Sequence, residues 1–171
     1  MTNRNEWFKR IGGTDYPLYL FFSCRVGNGD HCIIKSFEGL WSLDLDRQGE
    51  PKPLVNGRPH YVHSILDAEF LETLAEVVPF DWDRLAHLCF IMDLNYKVPR
   101  WKISPHDVED ENGWAFCESA AQSVECIDNP WITWTGFEWT SEESGKFVPI
   151  EDELQEGVPR ELQVWIRYQA V

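Results

Sequence analysis

His60 and His63 stand three residues apart, a spacing that could put two imidazoles on one side of a divalent metal. A metal site needs a third or fourth ligand, and the neighbouring sequence nominates none, so a surface pair beside a helix entry is the simpler reading. His31-Cys32 and His87 with Cys89 suggest a thiolate activated by an imidazole. Adjacent strand residues face opposite ways, however, and residues two apart on a helix lie about 200° apart, so neither pair is placed to react. Asp107, Glu109, Glu111 and Glu118 fall at positions 1, 3, 5 and 12 of a calcium-loop register. The glycine required at position 6 is missing there, because Asn112 occupies it and Gly113 comes one place late. Asp44-x-Asp46 as a metal pair is equally well explained as the wet face of a strand.

Gly27-x-Gly29 is followed by Cys32 where a dinucleotide fingerprint needs its third glycine. Neither a phosphate-binding Gly-x-x-x-x-Gly-Lys-Ser/Thr nor a Gly-x-Ser-x-Gly nucleophile elbow occurs. The motifs therefore name no reaction, and no cofactor or metal is expected.

Charge is more informative. The 171 residues carry 29 acidic and 15 basic side chains, a formal charge of −14. Residues 1–60 hold 8 bases and 7 acids, 61–100 hold 3 and 7, and 101–171 hold 4 and 15, so the acidity is concentrated in the last third. Such a field opposes phosphate backbones and anionic lipid, and it favours a basic protein partner. Six of the nine tryptophans, Trp101, Trp114, Trp131, Trp134, Trp139 and Trp165, are interleaved with this acid. Tryptophan gives a large contact area with little rotamer entropy lost, and flanking carboxylates can pair with a partner's Arg or Lys. Read as one strand, 131–139 puts Trp131 and Trp139 on one parity and Trp134 on the other, so at least one of them should lie near the surface. The candidate partner-binding residues are Asp107, Glu109, Asp110, Glu111, Trp134, Glu138, Glu142 and Glu143.

The elements that must position them form one domain over 1–171, long enough for a self-supporting core. Tyr16 to Val26 reads as a strand, with Gly27 to Asp30 as a turn and His31 to Phe37 as the return. Trp41, Leu43 and Leu45 alternate with Ser42, Asp44 and Asp46 as an outer strand. Ser64 to Val78 has a capping-box-like start and helical spacing up to Pro79. A second helix is expected from Asp81 through Leu85, Leu88 and Met92, although the dense apolar run from Leu88 to Leu94 also suits a buried strand. Residues 112–126 are ambiguous, and Leu162 to Tyr168 alternates as a closing strand. The expected class is α+β, an antiparallel or mixed sheet with two to three helices packed on one side. The N-terminus carries no apolar signal stretch and the longest apolar runs are five residues, so a cytoplasmic protein is expected, with its five cysteines reduced.

A small, acidic, tryptophan-rich α+β chain without a catalytic signature resembles, in composition, the immunity proteins of bacterial polymorphic and contact-dependent toxin systems. That resemblance implies a non-enzymatic protein that binds a cognate, basic toxin domain and occludes its active site. Two other readings are an acidic DNA mimic of the phage type that inhibits a host defence protein, and a small enzyme whose site assembles only in the fold. A pocket lined by His60, His63 or His87 with a carboxylate would favour the last.

Overall fold

The structure, a computed structural model, describes residues 7–24, 37–64, 84–92, 98–105, 113–134, 139–142 and 145–151. These form eleven strands: β1 (Phe8–Ile11), β2 (Thr14–Pro17), β3 (Tyr19–Ser23), β4 (Gly39–Leu43), β5 (Tyr61–Ser64), β6 (Leu85–Met92), β7 (Pro99–Ser104), β8 (Ala115–Glu118), β9 (Trp131–Trp134), β10 (Trp139–Glu142) and β11 (Lys146–Pro149). A 3-10 turn, Val124–Cys126, precedes β9. β1 and β2 pair as a hairpin through Gly12 and Gly13, both at positive φ, the geometry a two-residue turn between twisted strands requires. The other nine strands form one antiparallel sheet in the order β10-β9-β8-β7-β6-β5-β4-β3-β11.

This order forces the sheet to curl. Nine flat strands would separate the outer two by about 38 Å at the usual inter-strand spacing. Yet β10 ends at Glu142 and β11 starts at Lys146 on the opposite edge, a reach of at most about 14 Å for an extended chain. The sheet is accordingly a half-barrel. Across its hollow, Trp131 of β9 meets Phe22 of β3 edge-on at 6.3 Å and Phe147 of β11 at 5.6 Å. Leu20, Phe22, Trp41, Tyr61, Leu88, Trp101, Ile103 and Trp131 fill this concave side as one cluster. Each fully buried large side chain contributes roughly 1.5–3 kcal/mol. Gly145, at the crossing between the edges, lies so close that a Cβ there would stand 3.1 Å from Phe22 and 3.2 Å from Trp131. A smaller cluster of Trp7 and Ile150, with Phe8, Tyr19, Phe21 and Leu40, lies on the convex side.

The expected α+β class is thus corrected to nearly all β: no α-helix occurs among the described residues. The segment expected as a second helix is β6, the central strand, paired with β5 and β7. Its residues from Ala86 to Ile91 are all buried, so apolar side chains are required on both faces and the period-two signature disappears. Ser64, expected as a helix cap, closes β5, and the rest of that predicted helix, 65–78, lies outside the described residues. Tyr16 to Val26 is not one strand; it is broken after Pro17, where Leu18 donates its N–H to Trp7 O. The strand returning beside β3 is β4, which lies inside the sheet between β3 and β5 and is no outer strand. The expected return over 31–36 and the closing strand over 162–168 lie outside the described residues. Residues 131–139 are two paired strands instead of one, with Trp134 opposite Trp139, because the chain reverses between them.

Candidate functional site

Of the residues expected to bind a partner, Asp107, Glu109, Asp110, Glu111, Glu138 and Glu143 lie outside the described residues. Trp134 and Glu142 are placed through their backbone, on the edge hairpin β9–β10. Register sets Trp134 beside Trp139 near the turn and Glu142 beside Trp131 at the far end.

The convex side of this hairpin carries the one large aromatic of the acidic half that is exposed among the described residues. Trp139 is 37% exposed, whereas Trp101, Trp114 and Trp131 are buried. Strand alternation carries Phe116, Ile132 and Ser141 through one row of the sheet, and the Trp139 ring packs on Phe116 at 5.2 Å. Arg100 of β7 lies over the same Phe116 ring, 4.4 Å from its centroid, and its Nη2 stands 3.3 Å from Glu118 Oε1. Arg100 is buried and Glu118 exposed, so the guanidinium acts as a spacer that supports the aromatic pair and orients a surface carboxylate. The result is a half-exposed tryptophan packed on Phe116, whose other face carries the Arg100 guanidinium that pairs with Glu118. Sequence reading missed Phe116 as the partner of this tryptophan, and Arg100 as the partner of Phe116, because they come from separate strands.

A second cluster is buried. Asp44 follows β4 and His60 precedes β5, and the Asp44 N–H donates to His60 O at 2.9 Å, which fixes their side chains on one side. His60 Nδ1 lies 3.1 Å from Asp44 Oδ2, and Lys52 Nζ lies 3.0 Å from the same oxygen. His60 Nε2 is 2.9 Å from His87 Nδ1 of β6, with the rings stacked at 5.1 Å. Burial pushes the Asp44 carboxyl up, but the hydrogen bonds and charges of His60 and Lys52 outweigh it and hold the group below its usual range. The fold thus joins one histidine of the 60/63 pair to one of the 87/89 pair, a partnership across 27 residues that spacing could not reveal.

Of the other pairs that sequence suggested, His31-Cys32 lies outside the described residues. His63 lies on the concave side, stacked on Trp41 at 5.0 Å with Nδ1 2.7 Å from Leu40 O, so it and His60 do not converge. Among the described residues no group of three or more His, Cys, Asp or Glu could hold a metal. Glu118 ends a strand and pairs with Arg100, which removes the last ligand of the calcium register. Gly113 serves the backbone instead. At φ +64 its missing Cβ would stand 2.7 Å from Ile103 O, and this close approach lets Trp114 N–H reach the same oxygen at 2.8 Å. Cys117 is buried against Asn129 O, and burial followed by the Glu118 charge pushes its thiol up to about 12.

Among the described residues no helix is long and apolar enough to cross a membrane. Comparison with protein-family models, curated proteins and solved structures finds no match.

Proposed function

We propose that the chain is a non-enzymatic binding protein that engages a basic protein through the convex side of β8–β10, in the manner of an immunity protein that occludes its toxin. The observation that carries this reading is Trp139: a 37% exposed tryptophan on the β9–β10 hairpin, seated on Phe116. Exposed aromatics that are already rigid lose little entropy on docking and dominate binding energy at interface centres. Carboxylates near it in sequence, Glu138, Glu142 and Glu143, belong to the acidic third, whose net charge favours a basic partner.

The test is affinity capture from lysate of the source cells with wild type and Trp139→Ala in parallel, washed at low and then moderate salt. One basic protein retained near one-to-one by wild type, and at least tenfold less by Trp139→Ala, supports the proposal. A bare bait, or weakly held basic proteins lost together at moderate salt, overturns it. Displacement of the captured protein by duplex DNA of unrelated sequence would favour the DNA-mimic reading instead.

A further inference from the structure

The tip of the segment between β4 and β5 takes no part in the proposed binding face. Val55 and Arg58 exchange both backbone hydrogen bonds there, Val55 N–H to Arg58 O at 2.8 Å and Arg58 N–H to Val55 O at 3.1 Å. Asn56 and Gly57 between them have φ of +52 and +79, as a two-residue turn of the mirror-image type requires. Asparagine before glycine is also the pair in which the next backbone nitrogen, unhindered by a Cβ, most readily attacks the side-chain amide. Both residues are exposed, so water and hydroxide reach the turn.

The fold puts that amide to another use. The β5–β6 register, with Tyr61 opposite Leu88, places Pro59 opposite Phe90 when carried on by two residues. In β7 the Pro99 and Ile103 carbonyls accept from Ser119 and Trp114 on the β8 side. Trp101 has the same parity and also faces β8, so its partner Phe90 turns its carbonyl toward β5. Pro59 has no N–H to give it. Asn56 Nδ2 donates instead, 3.0 Å from Phe90 O. Gln122 Nε2 holds Gly57 O at 2.8 Å, and the Arg58 guanidinium lies 4.2 Å over the Phe90 ring with Nη2 donating to Ala120 O at 2.9 Å. The amide is thereby tied to β6 across 34 residues, and the glycine that would attack it is held at its carbonyl.

We propose that Asn56-Gly57 is a guarded modification site: the side-chain amide is lost when the tip opens, and its loss unties the tip from β6. The step balances with water alone. Hydroxide removes the Gly57 N–H proton, the nitrogen bonds to Asn56 Cγ, and the Cγ–Nδ2 bond breaks with departure of ammonia, leaving a succinimide. Water then opens the ring at either carbonyl, to aspartate or isoaspartate. Aspartate has no N–H for Phe90 O and sets a negative charge against it. Isoaspartate also adds a methylene to the backbone, which a two-residue turn with both rungs formed does not accommodate.

The experiment incubates the full chain at pH 8, in buffer and in guanidinium chloride sufficient to unfold it. The amide-to-acid mass gain is followed peptide by peptide, because Asn28-Gly29 and Asn112-Gly113 are the same pair. Conversion at Asn56 should be at least tenfold slower in buffer than in denaturant. Equal rates would overturn the guard, and no conversion in denaturant would overturn the site. Hydrogen exchange of the Arg58 amide reads the consequence: in Asn56→Asp it should be at least tenfold faster than in wild type, while amides of β7 stay protected. Unchanged protection at Arg58 would overturn the untying, as would equal loss in β7, which marks global unfolding. Should Asn56→Asp not fold, wild type converted in place at Asn56 gives the same comparison.

Discussion

Trp139 and Phe116 meet ring to ring at 5.2 Å although 23 residues separate them in sequence, and only because β9 stands between β8 and β10. The contact shows how the half-barrel converts scattered aromatics into a surface.

Asp44 has a folded-state carboxyl below its unfolded value, so its contribution is present above the unfolded value and is lost as pH falls through the folded one. Asp44→Asn should cost about 2 kcal/mol at pH 7, where charged hydrogen bonds to His60 and Lys52 are lost. In urea unfolding the gap between wild type and variant should narrow as pH falls below 4; a gap independent of pH would contradict the assignment.

Gly113 combines a left-handed backbone with a 2.7 Å clash for any Cβ against Ile103 O, which is backbone and cannot swing away. Gly113→Ala should lower stability by about 3 kcal/mol, from the conformational cost plus the displaced rung. Thermal unfolding followed by circular dichroism would read this as a clear drop in Tm.

Gly145 meets two ring atoms instead, and rings can yield by a few tenths of an ångström. Gly145→Ala should therefore cost less, about 1–2 kcal/mol, and perturb the near-ultraviolet spectrum of Trp131. Adding Phe22→Leu should recover part of the loss, a non-additive pair measurable in a double-mutant cycle.

Cys126 is exposed, whereas Cys24, Cys89 and Cys117 are buried. Burial, then Glu125 and Asp128, raises the Cys126 thiol, so little thiolate is present at neutral pH. Labelling with a disulfide reagent should be slow at pH 7, accelerate as pH rises above the ordinary thiol range, and lose this component in Cys126→Ser. Cys117→Ser should leave native-state labelling unchanged.

Much of the strand content was legible where one face is wet. In β4 the alternation of Trp41 and Leu43 with Ser42 holds, with both apolar residues buried. It failed at β6, since a strand buried on both faces shows an apolar run and no period, and length alone did not separate it from a helix. The reversal inside 131–139 was hidden because Trp, Thr and Phe suit a strand on either side of a turn. The Gly12-Gly13 turn between β1 and β2 was not read from the sequence, which put its hairpin at Gly27 to Asp30. For the candidate site, the parity of 131–139 pointed to a tryptophan near the surface, and Trp139 is exposed, but Arg100 under Phe116 was not legible. The His60–His87 pair was invisible for the same reason: register across β5 and β6 creates it.

The path of the strands also has a kinetic consequence. From β3 to β10 the sheet is a meander in which each strand pairs with the next, so every pairing can form from neighbouring chain. The exception is β11 on β3, where Lys146 lies opposite Ser23. That rung closes a loop of more than a hundred residues and gains its contacts from Phe22, Trp131 and Phe147 only once the meander has curved. Docking of β11 should thus follow formation of the meander, and substitutions in the closing aromatic trio should act mainly on the unfolding rate.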